Sequence, residues 1–352
     1  MKHEFAFLTP EQLARPLPIS IGLSGGSGSG KTYSALRVAR GIAEELGGKG
    51  APIAFVDTEN RRALHYRETF PEIVGHYLDF GPEVGGQMVG YPSDRWIAML
   101  DFIEKSGAKA LVVDSWSGSW EGIGGVLEQQ AAVLAAFGEG DGAKGDANNI
   151  RAWAKVKPPY RKLINRVIQF PIPIILCTRA KPVIMKRQKV GGEWTDVPVG
   201  KTKTRRKDIP WDVAADGDLI FEMAAMAILD HEHPGCPKYQ VKIADQFKRL
   251  WVPDRPLTEE TGRGMAEWSK RQGSAQQDKA LMDAARAKAR EGKDMMRAYW
   301  QGLDANQVAT LKPILAELQE TAARADEQTA PDDPFSDPKP APEQMAAAAA
   351  AA

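Results

Sequence analysis

The sequence predicts an α/β fold in which helices flank a mostly parallel central sheet, with a small helical extension at the C-terminal end. Short apolar runs typical of buried strands alternate with segments of helical periodicity along most of the chain. Several of these runs end in polar residues, as strands do at the ligand-binding edge of an open α/β sheet. A glycine-rich turn ending in Lys31-Thr32 separates the first predicted strand from the first predicted helix.

Periodicity defines the helices. Residues 33–46 place Leu36, Ala39 and Ala43 on one apolar face, and residues 93–105 form a second helix with Ser93 as its N-cap. Residues 138–149 are predicted as a loop, and Pro158-Pro159 should break or restart the helix that covers them. The remaining predicted helices are 126–137, 153–170, 280–300 and 305–323.

Apolar runs define the strands, because a strand buried on both faces carries few polar residues. A β-hairpin is predicted further along, with its turn at Pro234-Gly235. The predicted strands are 17–23, 52–57, 76–80, 110–115 and 172–178, and the hairpin comprises 218–229 and 239–243.

Composition bounds the class of protein. The 352 residues are 43% hydrophobic and 26% charged, with a formal net charge of zero, so affinity for nucleic acid would have to come from local clusters. Cys177 and Cys236 lack the spacing of a disulfide scaffold. No apolar run is long enough to cross a membrane and no signal-peptide pattern is present. We therefore expect a soluble cytoplasmic protein without a membrane partner.

Changes in composition divide the chain into four predicted regions. They are a polar lead-in at 1–16, an α/β core at 17–272, a helical module at 273–325, and a disordered tail rich in acidic residues and alanine at 326–352.

The glycine-rich turn fits the phosphate-binding pattern G-x-x-x-x-G-K-[ST]. Glycines let successive backbone N–H groups surround phosphate oxygens, and the dipole of the following helix favours negative charge there. A flexible linker would need neither the Lys-Thr pair nor the flanking strand and helix. We expect ATP contacts from Gly25, Gly26, Ser27, Gly28, Ser29, Gly30, Lys31, Thr32 and Tyr33.

Two later strand ends supply carboxylates. The apolar run 110–113 ends in Asp114, which matches the Walker B pattern and predicts a Mg²⁺ site shared with the Thr32 hydroxyl. The run 52–56 ends in Asp57-Thr58-Glu59. A general base is needed near this edge of the sheet, so Glu59 is the candidate catalytic base and Asp57 is its rival or a structural residue.

Residues 181–207 concentrate positive charge, with nine basic residues against two acidic ones and Trp194 among them. Such a run is often only a solvated insertion, but tryptophan among cations is typical of single-strand binding. The candidate nucleic-acid contacts are Lys186, Arg187, Lys189, Lys201, Lys203, Arg205, Arg206 and Lys207.

The order of these motifs resembles the RecA-like P-loop ATPase core over about residues 17–255. More narrowly, it resembles the single-domain RecA-like ATP-binding proteins encoded by phages, some of which act in single-strand annealing recombination. The resemblance implies a RecA-like fold, ATP with Mg²⁺, single-stranded DNA as partner and location in the host cytoplasm. It also implies assembly of identical subunits, as a ring or a filament.

The resemblance also assigns roles to individual residues. Lys31, Glu59 and Asp114 would be catalytic, and Thr178 would sit where the family senses the γ-phosphate, although the family has glutamine there. Lys248 or Arg249 would reach the γ-phosphate of a neighbouring subunit. Residues 181–210 would match the second DNA-binding loop of the family, and the stretch with Trp116 and Trp120 would match the first.

The favoured function is a Mg²⁺-dependent, DNA-stimulated ATPase of homologous recombination or annealing. The alternatives are a hexameric helicase or packaging motor, and a nucleotide-gated binding module with little turnover. A metal site at His231, His233 and Cys236 is disfavoured because Pro234-Gly235 explains that spacing as a turn. The acidic-aromatic segment 332–335 makes a single-stranded-DNA-binding protein a further candidate partner.

Overall fold

A computed structural model describes residues 15–137, 143–198 and 208–329, together with Thr9, Gln12 and Thr204. The chain divides into two compact units. The larger unit is Pro16–Gln272, and the smaller comprises Met1–Arg15 and Gly273–Ala352.

The larger unit is built on one central sheet, and two short hairpins lie outside it. The strands are β1 Ser20–Gly25, β2 Ile53–Asp57, β3 Tyr77–Asp79, β4 Glu83–Val84, β5 Gln87–Met88, β6 Ala110–Asp114, β7 Ile174–Pro182, β8 Met185–Val190, β9 Glu193–Pro198, β10 Trp211–Val213, β11 Ala225–Leu229 and β12 Tyr239–Ile243.

The central sheet has the order β12-β11-β1-β7-β6-β2-β3, and β10 pairs with the end of β7. All neighbours from β3 to β11 are parallel, whereas β12 and β10 are antiparallel to their partners. The predicted α/β fold with a mostly parallel central sheet flanked by helices is confirmed. β7 lies between β1 and β6, so Gly25 is level with Arg179 and Asp114 is level with Cys177. Three strand ends therefore meet at one edge.

Helices cover both faces of this sheet, and further helices follow in the smaller unit. They are α1 Lys31–Gly47, α2 Ser93–Glu104, α3 Gly118–Glu121, α4 Val126–Phe137, α5 Ala143–Ile168, α6 Gly217–Glu222, α7 Glu259–Arg290, α8 Lys293–Gln301, α9 Ala305–Leu311 and α10 Leu315–Thr329. Single 3-10 turns occupy Arg62–Tyr66, Pro71–Ile73, Asp245–Phe247 and Lys312–Ile314.

The apolar core forms a layer on each face of the sheet, because alternate side chains of a strand point to opposite faces. On one face, Leu23 and Phe55 pack with Leu36 of α1. On the other face, Trp96 of α2 and Leu163 of α5 pack over β6 and β7. The apolar face predicted for α1 is the face that the structure buries, and α2 buries Trp96, Leu100 and Ile103.

Two glycines permit a close crossing of α1 and α7. A Cβ at Gly41 would lie 1.9 Å from the backbone oxygen of Glu259, and a Cβ at Gly262 would lie 2.0 Å from that of Val38. Both distances are far below van der Waals contact, so the two helices approach each other through their backbones.

Four local predictions in the larger unit are wrong, and the first three concern α5 and α2. Pro158 and Pro159 lie inside the continuous helix α5, which already begins at Ala143 in the predicted loop. Burial of α5 side chains against the core outweighs the two missing backbone donors. Ser93 is the first residue of α2, so it follows the N-cap position, which Pro92 holds.

The fourth wrong prediction is the first arm of the hairpin. Its residues 218–222 are helical, because the Asp216 carboxylate accepts a hydrogen bond from the Asp218 N–H and caps α6. Only β11 and β12 form the expected antiparallel pair.

The smaller unit has its own apolar cluster. Its buried members include Ala285, Met296 and Leu318. The helix predicted over 280–300 is interrupted at Gly292, whose φ of 105° is rare in helices. The helix predicted over 305–323 is interrupted by the 3-10 turn that contains Pro313. The structure does not describe the predicted tail beyond residue 329.

Among the helices that the structure describes, none has both the length and the apolar character needed to cross a membrane.

Candidate active site

The glycine loop connects β1 to α1 at the edge where the strands of the sheet end. Gly28 and Gly30 have φ angles of 81° and 83°, a conformation that other residues adopt at a cost. At Gly30 a side chain is also excluded by space, since a Cβ would lie 2.7 Å from the nitrogen of Gly235. The predicted strand–loop–helix arrangement is therefore present, with the loop at the N-terminus of α1.

The segment after β11 supports this loop from outside. The Gly235 N–H donates to the carbonyl oxygen of Ser29 at 2.9 Å. The buried Ser29 hydroxyl donates to the carbonyl oxygen of Gly26 at 2.9 Å. The ring of His231 lies against Gly26, where a Cβ would come within 2.5 Å of its Cε1. These contacts hold the loop in one conformation.

Lys31 and Thr32 begin α1 and turn toward the cleft. The Lys31 ammonium donates to the carbonyl oxygen of Gly26 at 2.8 Å, and the Thr32 hydroxyl donates to a carboxylate oxygen of Asp114 at 2.5 Å. Burial of Asp114 raises the pKa of its carboxyl to about 6, the hydrogen bond from Thr32 opposes that rise, and the neighbouring Glu59 adds to it. The predicted metal pair is thus already in contact.

Two arginines hold the carboxylate of Glu59. Arg62 donates to one of its oxygens at 2.9 Å and Arg179 to the other at 3.3 Å.

Asp57, its rival as catalytic base, is hydrogen bonded on both carboxylate oxygens. It accepts from the N–H groups of Glu59, at 2.5 Å, and Ala63, at 3.1 Å, and from the Tyr77 hydroxyl. Asp57 therefore shapes the turn after β2, while Glu59 presents its side chain to the cleft.

These groups line one cleft of about 860 Å³. It brings together the predicted residues Lys31, Thr32, Glu59 and Asp114 with every residue of the glycine loop except the buried Ser29. The lining residues are Gly25, Gly26, Ser27, Gly28, Gly30, Lys31, Thr32, Tyr33, Asp57, Glu59, Arg62, Ala63, His65, Tyr66, Asp114, Arg179, Ala180 and Lys181.

Three of the predicted site residues lie elsewhere. Thr178 is buried within β7 and does not line the cleft, and its hydroxyl has no hydrogen-bond partner among the residues that the structure describes. Lys248 and Arg249 also lie away from the cleft of their own chain, and the Lys248 ammonium pairs with Asp245 at 2.6 Å.

The predicted basic loop is a hairpin in the part that the structure describes. β7 runs on to Pro182, and β8 and β9 then pair antiparallel. Lys186, Arg187 and Lys189 are exposed on β8, and the Trp194 side chain on β9 is 64% exposed. The other candidate contacts, Lys201, Lys203, Arg205, Arg206 and Lys207, lie outside the described residues.

The tryptophans assigned to a first DNA-binding loop are core residues. Trp116 is fully buried with its ring centroid 4.7 Å from that of Trp96, and Trp120 is nearly buried and stacks on Trp153 at 6.0 Å. Their faces are therefore occupied by other rings, so the implied DNA contact of these two side chains is wrong.

Several lining residues were not predicted from the sequence. Arg179 and Lys181 alternate at the end of β7, and Lys181 pairs with Glu121 at 2.6 Å. Tyr66 lies 5.7 Å from Tyr33 between ring centroids and forms an aromatic wall with it. The sequence signal for Arg179 and Lys181 is the Arg-x-Lys pattern at the end of the apolar run of β7. That pattern points to the cleft only once β7 is known to lie between β1 and β6.

The metal set that the sequence disfavoured, His231, His233 and Cys236, is not grouped in the part of the chain that the structure describes. Among the described residues, Asp230, Glu232 and His233 have possible ligand atoms within 4.8 Å of one another, and Cys236 is buried outside that group. His233 and Asp230 already contact each other within the turn.

Residues 17–197 match the sequence model of the family AAA_24, described as an AAA domain. The match covers more than half of the chain. The chain belongs to this AAA domain family. Its core is accordingly that of an ATP-binding P-loop ATPase, and the cleft contains the glycine loop that carries the phosphate-binding pattern.

Among solved structures, the AAA domain protein is similar to the KaiC-like protein PH0186 from the hyperthermophilic archaeon Pyrococcus horikoshii OT3. The two share 19% sequence identity with a TM-score of 0.31, over 60% of this chain and 71% of the other. No curated protein matches the sequence.

Proposed function

We propose that this AAA domain protein is a Mg²⁺-dependent ATPase that acts on single-stranded DNA in homologous recombination or annealing. The observation that carries the proposal is the convergence of Lys31, Thr32, Glu59 and Asp114 on one cleft, beside the strand that leads into an exposed basic hairpin. The phage-encoded annealing proteins that the sequence resembles supply the biological setting.

The cleft suits a triphosphate. The glycine-loop N–H groups and the N-terminus of α1 favour phosphate, and Lys31 would exchange the Gly26 carbonyl for phosphate oxygens. The aromatic wall of Tyr33 and Tyr66 offers a face on which the base can lie. The contacts that Lys31 and the loop N–H groups make with the phosphates would stabilise the negative charge that develops on the transferring phosphoryl group.

Thr32 and Asp114 would hold Mg²⁺. Their oxygen atoms are the ligand type that Mg²⁺ prefers, and a bound cation would offset the loss of solvation by which burial raises the pKa of the Asp114 carboxyl. A bound Mg²⁺ would supply charge neutralisation to the phosphates. Glu59 would orient the attacking water and accept its proton, because its carboxylate faces the same cleft.

The hairpin would bind single-stranded DNA. Lys186, Arg187 and Lys189 can pair with phosphates, and the exposed Trp194 can stack on a base. A second copy of the chain would complete the site by presenting Lys248 or Arg249 to the γ-phosphate, in a ring or a filament.

ATP turnover with and without single-stranded DNA tests the proposal. We expect DNA to increase turnover, and we expect apparent DNA affinity to fall as salt rises. Turnover that is negligible under all conditions would leave a nucleotide-gated binding module instead. Processive duplex unwinding would favour the helicase or packaging motor.

A further inference from the structure

The carboxylate of Glu59 is shared by two arginines of different origin. Arg62 belongs to the turn that follows Glu59 and pairs with it three residues along the chain at 2.9 Å. Arg179 comes from the end of β7 and reaches the other oxygen at 3.3 Å. The Glu59 side chain is only 23% exposed, so these two contacts cover much of the group proposed to activate water.

The backbone of Arg179 is fixed while its side chain is not. Its N–H donates to the Ser117 hydroxyl at 2.9 Å, and its carbonyl oxygen accepts from the Ala214 N–H at 2.8 Å. The side chain is 59% exposed and lines the cleft. Because its backbone is fixed and its side chain is exposed, the guanidinium of Arg179 can change partners while the strand stays in place.

The position of Arg179 favours a phosphate as its second partner. In the β1–β7 register it stands opposite Gly25, the first residue of the glycine loop. It therefore lies between the loop that would hold the phosphates and the carboxylate that would activate water. A guanidinium binds phosphate and carboxylate by the same pair of parallel N–H donors, so the two anions compete for it.

We propose that Arg179 exchanges Glu59 for the γ-phosphate of a nucleoside triphosphate bound by the same chain. In the presence of a diphosphate, Arg179 stays on Glu59 and the carboxylate remains engaged. When a γ-phosphate arrives, Arg179 moves to it, and the carboxylate oxygen of Glu59 that Arg179 held becomes free to orient water, while Arg62 stays on the other oxygen. The exchange involves only non-covalent contacts, and it rests on the proposed ATPase function. It makes Arg179 a positioning residue for Glu59 and a determinant of triphosphate selectivity.

The neighbouring cations are less suited to this exchange. Lys181 is engaged by Glu121 at 2.6 Å and carries no bidentate fork. Arg62 also lines the cleft, but it pairs with Glu59 within a single turn of the chain and so stays beside the carboxylate when Arg179 leaves.

Binding to the full-length chain with Mg²⁺ tests the exchange, using calorimetry with ADP and with a non-hydrolysable ATP analogue. We expect Arg179→Gln to lower the affinity for the analogue by about tenfold or more, the size of one charge-assisted contact. It should lower the affinity for ADP by less than about twofold. Arg179→Lys should restore part of the preference. Glu59→Gln should strengthen analogue binding in the native background and have no such effect when Arg179→Gln is also present.

Arg61→Gln is the matched control, because Arg61 pairs with Asp79 at 2.7 Å outside the cleft lining. It should bind both ligands like the native chain. If Arg179→Gln lowered the affinities for the analogue and for ADP equally, the exchange would be overturned. The same holds if Glu59→Gln still strengthened analogue binding when Arg179→Gln is present. A loss of selectivity in Lys181→Gln instead of Arg179→Gln would also overturn it. A native chain that binds neither nucleotide would refute the proposed function itself.

Discussion

At the scale of single residues, the site separates carboxylates that look alike in the sequence. Asp57 accepts from two backbone N–H groups and a tyrosine hydroxyl, so it holds a turn together. Asp114 is buried against Thr32, which suits a cation, and Glu59 pairs with arginines at the cleft. Environment therefore assigns three roles to three acidic side chains at adjacent strand ends.

Replacing Glu59 by glutamine tests its role as the base. The amide keeps the shape of the side chain but cannot accept a proton, so we expect turnover of ATP to fall by roughly 10²–10⁴-fold while nucleotide binding is retained. Steady-state phosphate release measures this. Glu83→Gln, on the exposed strand β4, is the control and should leave turnover unchanged. Native-like turnover in Glu59→Gln would move the catalytic role to another group.

The phosphate-binding residues could be predicted from the sequence because the motif is contiguous and its chemistry is local. Asp114 and Glu59 could also be predicted, because each comes at or just after the end of an apolar run that is recognisable as a strand. Arg179 and Tyr66 could not be found in that way. Their presence in the cleft depends on strand order and register, which join residues far apart in the chain.

At the scale of elements, the crossing of α1 and α7 depends on the missing side chains of Gly41 and Gly262. Beside it, Arg37 of α1 pairs with Glu259 of α7 at 2.7 Å. Burial alone would raise the pKa of the Glu259 carboxyl, but the hydrogen bond from Arg37 and nearby cations outweigh it and lower that pKa. The helices are thus joined by backbone contact and by a partly buried ion pair.

Substitution of Gly41 by alanine should destabilise the protein. The added Cβ would overlap the Glu259 carbonyl oxygen, so the helices must separate at a cost of about 1–3 kcal/mol in the free energy of unfolding. Denaturant unfolding followed by circular dichroism measures the change. Gly217→Ala is the control, because nothing lies within 4 Å of its Cβ position, and its stability should stay within about 1 kcal/mol of native. Equal effects of the two substitutions would contradict the crossing.

The hairpin β8–β9 predicts how DNA binding depends on charge. Changing Lys186, Arg187 and Lys189 together to glutamine should reduce the slope of log affinity against log salt by about 2, since each phosphate contact contributes about 0.7 on single strands. Trp194→Ala should weaken binding by about 1–3 kcal/mol and leave the slope unchanged. Fluorescence anisotropy with a labelled single strand measures both.

Lys105→Gln, at an exposed position after α2, is the matched control for these charge changes. Its affinity and salt slope should equal those of the native chain. A triple variant that keeps the native slope would place the DNA contact elsewhere on the protein.

Element types were predictable where apolar patterns were strong. The strands of the central sheet carry continuous apolar runs, and α1 and α2 carry clear apolar faces. β8, in contrast, reads MKRQKV, so charged side chains mask its strand character. The polar residues at the start of α5 and its two prolines have low helix propensity, so the sequence predicted a loop and a break there. Packing of α5 on the core outweighs that low propensity.

At the scale of the whole molecule, the sheet order places β1, which leads into the glycine loop, and β6, which ends in Asp114, on either side of β7. Although the chain has zero net charge, Lys31, Arg62, Arg179 and Lys181 all line the cleft at the edge of the sheet where these strands end. The order of strands itself follows from long-range pairing, which no local pattern specifies, and the sequence predicted only that the sheet is mostly parallel.

A bound nucleotide should stabilise the larger unit. Mg²⁺-ATP analogue at about 100 times its dissociation constant adds about 2.7 kcal/mol, and we expect the melting temperature to rise by about 5–10 °C. Lys31→Ala should remove most of this rise, because its ammonium is the cation nearest the glycine loop. Differential scanning fluorimetry measures it, with EDTA to remove the metal. A full rise in Lys31→Ala would contradict the assigned phosphate site.

The support that Gly235 gives the glycine loop has a kinetic consequence. Gly235 contacts Ser29 and Gly30, so the backbone N–H groups of the glycine loop are already oriented before a ligand arrives. The loop therefore needs no slow rearrangement to bind a nucleotide. Stopped-flow mixing should then give one exponential phase, with an observed rate that rises linearly with nucleotide concentration. Crowding the contact by Gly235→Val should add a second, concentration-independent phase.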